Sequence, residues 1–262
     1  MSTEGPRRRR IALSAGLIGL VLAFPAAAGP DPTRDVLWMA LKTCVLAKKV
    51  ANRTFPCLSV DLGGEDRPGT AVLRAPGEPT HLVLMPTDTV SGLESARLRG
   101  ASGLAYWRAA LAARRLVSDS LGDRVPVADI GLAVNSAWGR SQDQLHIHLD
   151  CLRPKVLEAL GAHGRDVRKA WAPFPVPLAG DRFQAMRVRA AEVETFNPFA
   201  AIASLPGRRD LTRTSFAAVA TRPDDPEPGV ILLAYRARRA SAEDIMDHTC
   251  AIAQPRSPRP TG

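Results

Sequence analysis

Residues 135–151 read Asn135-Ser136-Ala137-Trp138-Gly139-Arg140-Ser141-Gln142-Asp143-Gln144-Leu145-His146-Ile147-His148-Leu149-Asp150-Cys151. Side chains alternate between the two faces of a strand, so an extended segment 145–149 puts Gln144, His146, His148 and Asp150 on one face and Leu145, Ile147 and Leu149 on the other. The apolar face packs and the other presents two imidazoles. Same-face positions lie about 6.6 Å apart along a strand, a spacing at which two imidazoles can converge on neighbouring phosphoryl groups. Residues 131–135 form a second short apolar run, and Gly139-Arg140 with its polar neighbours is the loop joining the two strands.

Working outward, 31–51 carries Leu37, Ala40, Leu41, Cys44 and Val45 at helical spacing and predicts a helix that stops before Asn52 and Pro56. Residues 60–86 mix the turn signals Gly63-Gly64, Pro68-Gly69 and Pro76-Gly77 with two strands, 70–73 and 81–85, read as a hairpin. A second helix is predicted over 104–117. Beyond the histidines come a helix at 153–170, a proline-rich connection at 173–177, strands at 183–188, 215–220 and 230–235, and a last helix through 241–248 opened by Ser241 and Asp244. Strands in short hairpins with helices between the groups predict an α+β antiparallel architecture.

The chain has 262 residues, 45% apolar and 23% charged, which excludes a disordered, collagenous or polytopic membrane protein. Its formal charge is 35 − 26 = +9; the first 28 residues hold four arginines against Glu4, leaving +6 for the rest. This excess lacks basic runs interleaved with aromatics, so it fits an anionic membrane surface and a phosphorylated substrate better than nucleic acid. Arg7 to Arg10, the apolar run 11–24 and the small residues Ala26, Ala27 and Ala28 have the order of an export signal. Removal of 1–28 as a signal peptide and retention as a membrane anchor both stay open. Export makes Cys44, Cys57, Cys151 and Cys250 readable as disulfides. Cys44 and Cys57 are close across a helix end and a proline turn, so the pairing expected is Cys44–Cys57 and, by remainder, Cys151–Cys250.

Three readings fit the His-x-His strand. The histidines can serve packing or face solvent. They can join a metal site, because His146-x-His148-x-Asp150 resembles the HxHxDH motif of metallo-β-lactamase-like hydrolases, although Cys151 stands where that motif ends in histidine. An imidazole can act as nucleophile. Gln144-Leu145-His146-Ile147-His148-Leu149 after Gly139-Arg140-Ser141 resembles the histidine-triad (HIT) superfamily, with Gln144 in the place of the first histidine. The chain as a whole resembles the CDP-diacylglycerol pyrophosphatase family, a HIT-related group of bacterial hydrolases. Carrying that likeness are Leu84-Met85-Pro86-Thr87 with Gly92, Glu94 and Ser95; Asn135-Ser136 with Gly139-Arg140 and Gln142; His146-Ile147-His148 with Cys151, Arg153 and Pro154; and Ser241-Ala242-Glu243 with Asp247-His248 and Cys250.

The resemblance implies a HIT-like antiparallel sheet with flanking helices, elaborated or duplicated toward the carboxyl terminus: a catalytic half over 30–155, a second half or elaboration over 156–254 and a disordered tail at 255–262. It implies hydrolysis of CDP-diacylglycerol to CMP and phosphatidate, with His146 as nucleophile and His148 binding phosphoryl oxygens or moving a proton. Asn135, Gly139, Ser141 and Gln144 are the expected substrate-binding residues. No cofactor or metal is needed by this route. Expected surroundings are a nucleotide-lipid substrate, a membrane surface and the bacterial inner membrane facing the periplasm, or the periplasm itself, with a homodimer open. The rivals are a metal-dependent phosphoesterase built on His146, His148 and Asp150, and an exported lipid- or nucleotide-binding module. His248 is read as structural beside Cys250.

Overall fold

Short apolar runs bounded by turn residues pair edge to edge into one sheet. The computed structural model describes residues 32–254, so the leader expected at 1–28 and the tail at 255–262 lie outside the described residues. Along the chain come α1 (Val36–Ala51), β1 (Ser59–Asp61), β2 (Thr70–Arg74), β3 (Leu82–Pro86), α2 (Ala101–Ser120), β4 (Ile130–Val134), β5 (Ile147–Cys151), α3 (Pro154–His163), β6 (Ala172–Pro173), β7 (Gln184–Arg189), α4 (Ala190–Val193), α5 (Pro198–Ala203), β8 (Thr214–Ala220) and β9 (Gly229–Arg236). The architecture is α+β, as expected. Among the described residues nine strands form a single sheet in the order β1-β2-β3-β5-β4-β8-β9-β7-β6, every neighbouring pair antiparallel.

That order contains a repeat. β2, β3, α2, β4 and β5 lie in the sheet as β2-β3-β5-β4, and β6, β7, α4 with α5, β8 and β9 lie as β6-β7-β9-β8. The two sets meet where β4 and β8 pair through Ala133 and Ala217. Register carries the correspondence to single residues: His148 lies opposite Ala133, and Leu233 lies opposite Ala217. Two positions to either side, His146 matches Ile231 and Asp150 matches Tyr235.

Helices α2 and α5 cover one face, with Tyr106, Trp107, Ala110, Val117, Phe199 and Ile202 packed with Leu82, Leu84, Leu132, Ile147, Leu149 and Phe216. The start of α2 runs so close to the preceding turn that a Cβ at Gly103 would sit 1.8 Å from the Leu98 carbonyl oxygen, an approach only glycine permits. The opposite face is divided. Leu37, Leu41 and Cys44 of α1 recur at helical spacing and bury against Ala71, Leu73, Val83 and Met85. Val156 and Leu160 of α3 bury against Ala217, Val219, Ile231 and Leu233. Between these two covers, the face of β5 that carries the histidines opens into a cleft.

Two expected helices are shorter than predicted. The segment 153–170 is α-helical only over Pro154–His163 and ends in a 3-10 turn, Gly164–Asp166, where the Arg187 guanidinium takes the Gly164 and Val167 carbonyls at 2.6 and 3.1 Å and turns the chain away. Residues 241–248 make a single 3-10 turn, Ala242–Ile245. There the N–H of Ala242 donates to the Ser215 hydroxyl and that of Glu243 to the Asn135 side chain, partners from the sheet in place of a further helical turn. No helix of the described residues is long and apolar enough to cross a membrane. Both expected disulfides form, Cys44–Cys57 with Cα atoms 5.8 Å apart and Cys151–Cys250 with 5.3 Å.

Candidate active site

β5 begins at Ile147, later than the predicted 145, because Leu145 donates its N–H to the Val90 carbonyl rather than to a neighbouring strand. His146 therefore stands at the mouth of the strand, and its ring is buried. Nδ1 lies 2.8 Å from the Gln144 carbonyl oxygen. A carbonyl only accepts, so Nδ1 carries the proton and Nε2 keeps its lone pair. Burial, and next the neighbouring His148, push the His146 imidazole down to about 3, which keeps it neutral at physiological pH.

His148 stands edge-on to His146, ring centres 4.8 Å apart. Its Nδ1 shares a hydrogen bond of 2.8 Å with Nε2 of His81 and lies 3.1 Å from Glu243 Oε1, while the Asn135 amide approaches its Nε2 at 3.4 Å. His81 in turn is held through Nδ1 by Glu78 and stacks on His248 at 4.1 Å. Burial, then His148, lowers the His81 pKa against the opposing pull of Glu78. His248 donates from Nδ1 to Asp150 at 2.8 Å and from Nε2 to Glu243 at 3.3 Å. These two carboxylates, Asp150 first, raise His248 to about 10, so it is an imidazolium at neutral pH. Burial works against ionisation of Glu243, but the electrostatic pull of His148 and hydrogen bonds from His148 and His248 outweigh it and hold the carboxyl well below the usual range. Asn135 completes the frame by donating to Glu243 Oε2 at 2.7 Å and accepting the Glu243 N–H at 3.2 Å.

Four of the five histidines thus gather in one place; the fifth, His163, packs edge-on to Phe174. Sequence reasoning does not bring His81, Glu78 or Glu243 to this site, and its structural reading of His248 misses the charged frame that this ring joins. One signal points to it: a Cys151–Cys250 bond carries His248 to the end of the strand that bears His148 and Asp150. The cleft, about 290 Å³, is lined by His81, His146, His148 and Glu243, by Ser141 and Gln142, and by Val36, Leu37 and Val83 on its apolar side.

The expected binding residues divide. Asn135 meets His148 as described, and Ser141 is exposed at the rim of the cleft. Gly139 lies in a tight turn, its N–H donated to Ser136 and its Cα so near the Ala240 carbonyl that a Cβ would fall within 2.5 Å of it. The Gln144 side chain turns to the 86–90 backbone, donating to the Pro86 and Asp88 carbonyls and accepting from the Val90 N–H. Its backbone carbonyl, not its amide, serves His146. Arg140 pairs with Glu94 at 2.9 Å, and Arg153 donates to the Met246 carbonyl.

Side chains able to hold a metal ion are His81, His148 and Glu243, or Glu78, His81 and His248, each set with its ligand atoms within 4.8 Å of one another. The set read from the sequence, His146, His148 and Asp150, is not among these: Asp150 is engaged by His248 and by the Cys151 N–H, and His146 by the Gln144 carbonyl.

Comparison with known proteins gives the class first: this is an enzyme, a hydrolase. The family described as CDP-diacylglycerol pyrophosphatase matches residues 32–254, and the chain belongs to that family. A CDP-diacylglycerol pyrophosphatase of Yersinia pestis is 36% identical over 250 residues, covering 92% of this chain and 91% of the relative. Proteins of the same name from Mycobacterium bovis and Mycobacterium tuberculosis are 31% identical over 261 residues, covering 94% of this chain and 98% of each relative.

Proposed function

We propose that this chain hydrolyses CDP-diacylglycerol to CMP and phosphatidate through a nucleotidyl-histidine intermediate on His146. The observation that carries the reading is the hydrogen bond from His146 Nδ1 to the Gln144 carbonyl, which leaves a neutral ring with a free lone pair on Nε2. That lone pair attacks the cytidylyl-side phosphorus. The anhydride P–O bond breaks and phosphatidate leaves with its electron pair; water then displaces the imidazole, giving CMP and a proton. His148 binds the phosphoryl oxygens or moves the proton, while His248 holds Glu243 and Asp150 in place beside it. Ser141 donates its hydroxyl from the rim, Asn135 positions His148 and Glu243, Gly139 sets the shape of the loop, and Gln144 holds the 86–90 loop against the site.

The repeated strand order supports reading 30–155 as a HIT-like catalytic half and 156–254 as a second half on the same plan. In this reading the enzyme works at the inner membrane facing the periplasm or in the periplasm, a location that the two disulfides favour. Hydrolysis in ¹⁸O-water tests the route: the label is expected in CMP, and label in phosphatidate overturns attack at the cytidylyl phosphorus.

A second reading has an observation of its own, the convergence of His81, His148 and Glu243. A divalent ion held there would activate water directly. Exhaustive chelation would then silence the enzyme, whereas histidine attack survives it.

A further inference from the structure

Helix α1 has two apolar faces, and the sheet uses only one. Leu37, Leu41 and Cys44 are buried, but Val36, Met39, Leu46 and Val50 lie on the outer side and are exposed, Val50 to 78%. In sequence, the exposed apolar residues continue past the end of the helix with Phe55, exposed to 83%, Leu58 and Leu62. Of the large apolar side chains exposed among the described residues, only Trp138 lies outside this stretch. Exposed apolar side chains gathered in one stretch of the chain in this way mark a binding surface rather than chance exposure. Lys42 and Lys49 border the helix at heptad spacing, with Arg53 just beyond its end, all three exposed.

We infer that this face of α1, with the Phe55–Leu58–Leu62 chain beyond it, docks on the surface of an anionic lipid bilayer. A helix lying in the interface buries apolar side chains at the acyl boundary and leaves basic ones among the headgroups, the distribution found here. A second copy of the chain fits less well. Its lysines would face these lysines, and a helix–helix seam has no use for the apolar residues that follow Asn52. The sequence also leads to the same surface: only residues 25–35 separate the apolar run 11–24 from Val36. The first turn of α1 contributes Val36 and Leu37 to the wall of the histidine cleft, so a bilayer against the outer face would hold lipid headgroups beside the cleft mouth. This last step rests on the function proposed above; the docking itself does not.

The test uses the full chain and vesicles of phosphatidylethanolamine and phosphatidylglycerol. Phe55→Trp is expected to add emission that brominated acyl chains quench, read as a difference from the unsubstituted protein. Met39→Glu/Leu46→Glu is expected to abolish that added quenching and to lower turnover of vesicle-borne substrate at least tenfold, while turnover of a short-chain, monomeric CDP-diacylglycerol stays within twofold and reports intact folding. No added quenching overturns the inference, as does a double variant that keeps its vesicle turnover, or one that only converts a dimer to monomers. If no nucleotide lipid is turned over at all, the proposed function fails and the quenching result still decides the docking.

Discussion

β5 and β9 hold matching places in the two halves of the sheet and present opposite surfaces. Where β5 offers His146, His148 and Asp150, β9 offers Ile231, Leu233 and Tyr235. α3 closes over the β9 side with Val156 and Leu160, while the β5 side lies open between α1 and the 242–250 segment. The difference is one of cover rather than of backbone plan. An apolar strand face must be buried to be stable, whereas imidazoles are useful only where a substrate can reach them. One plan has thus been filled once with packed apolar side chains and once with a cluster of titratable ones. The charged groups show the same division. Within the second half Arg187 and Asp225, both nearly inaccessible, pair at 2.9 Å and lock the chain after α3; beside β5, Asp150 of the first half meets His248, which the second half brings in together with Glu243.

Substitutions on the two strand faces are expected to act very differently. His146→Ala removes the proposed nucleophile, and is expected to lower kcat by about 10⁴-fold or more with the folded structure intact by circular dichroism. In the proposed route His148→Ala removes a binding or proton-moving group and leaves the proposed nucleophile, and it is expected to cost about 10²–10⁴-fold in steady-state rate. On the packing side, Arg187→Met strands the Asp225 carboxylate and should lower unfolding stability by about 3–5 kcal/mol in urea titration, with kcat per folded molecule unchanged. A kcat loss as deep as that of His148→Ala would show that the two halves are not separable in this way.

The smallest effect is a pH dependence. His248 sits at about 10 when folded and at about 6.5 when unfolded, so its contribution is fully present below about pH 6.5 and is lost as the pH rises to about 10. The stability gap between the wild-type chain and His248→Gln should therefore shrink steadily from pH 7 to about 10.5. His146 has the opposite sign. Lowered to about 3, it contributes stability above about pH 6.5 that fades as the pH falls. Replacing it with alanine should narrow the gap toward acid instead.

Much of this could be read from the chain itself. The 70–73 and 81–85 hairpin, the His-x-His strand, the long α2 and both disulfides follow from alternation, helical spacing and cysteine placement, all local signals. β1 and β6 are three and two residues long, too short to carry a period. The resemblance leaves duplication and elaboration of the second half both open, and side-chain pattern does not choose between them, because the positions of His146, His148 and Asp150 are held in the other half by Ile231, Leu233 and Tyr235. His81 and Glu243 come from a strand end and a 3-10 turn distant in sequence from His148, and only the pairing of β3 with β5 and the Asn135–Glu243 hydrogen bonds bring them together. The Gln144 role could not be read from side-chain chemistry, since its carbonyl does the orienting.

The proposed chemistry runs through one nitrogen, Nε2 of the buried His146 ring. Rapid mixing of enzyme with radiolabelled CDP-diacylglycerol, stopped in denaturing alkali where phosphoramidates survive, measures it directly. Cytidylyl label bound to the protein and mapped to His146, formed and consumed at rates compatible with turnover, is the expected result. Full turnover with no label on the protein at any mixing time, or label on a different residue, would contradict it.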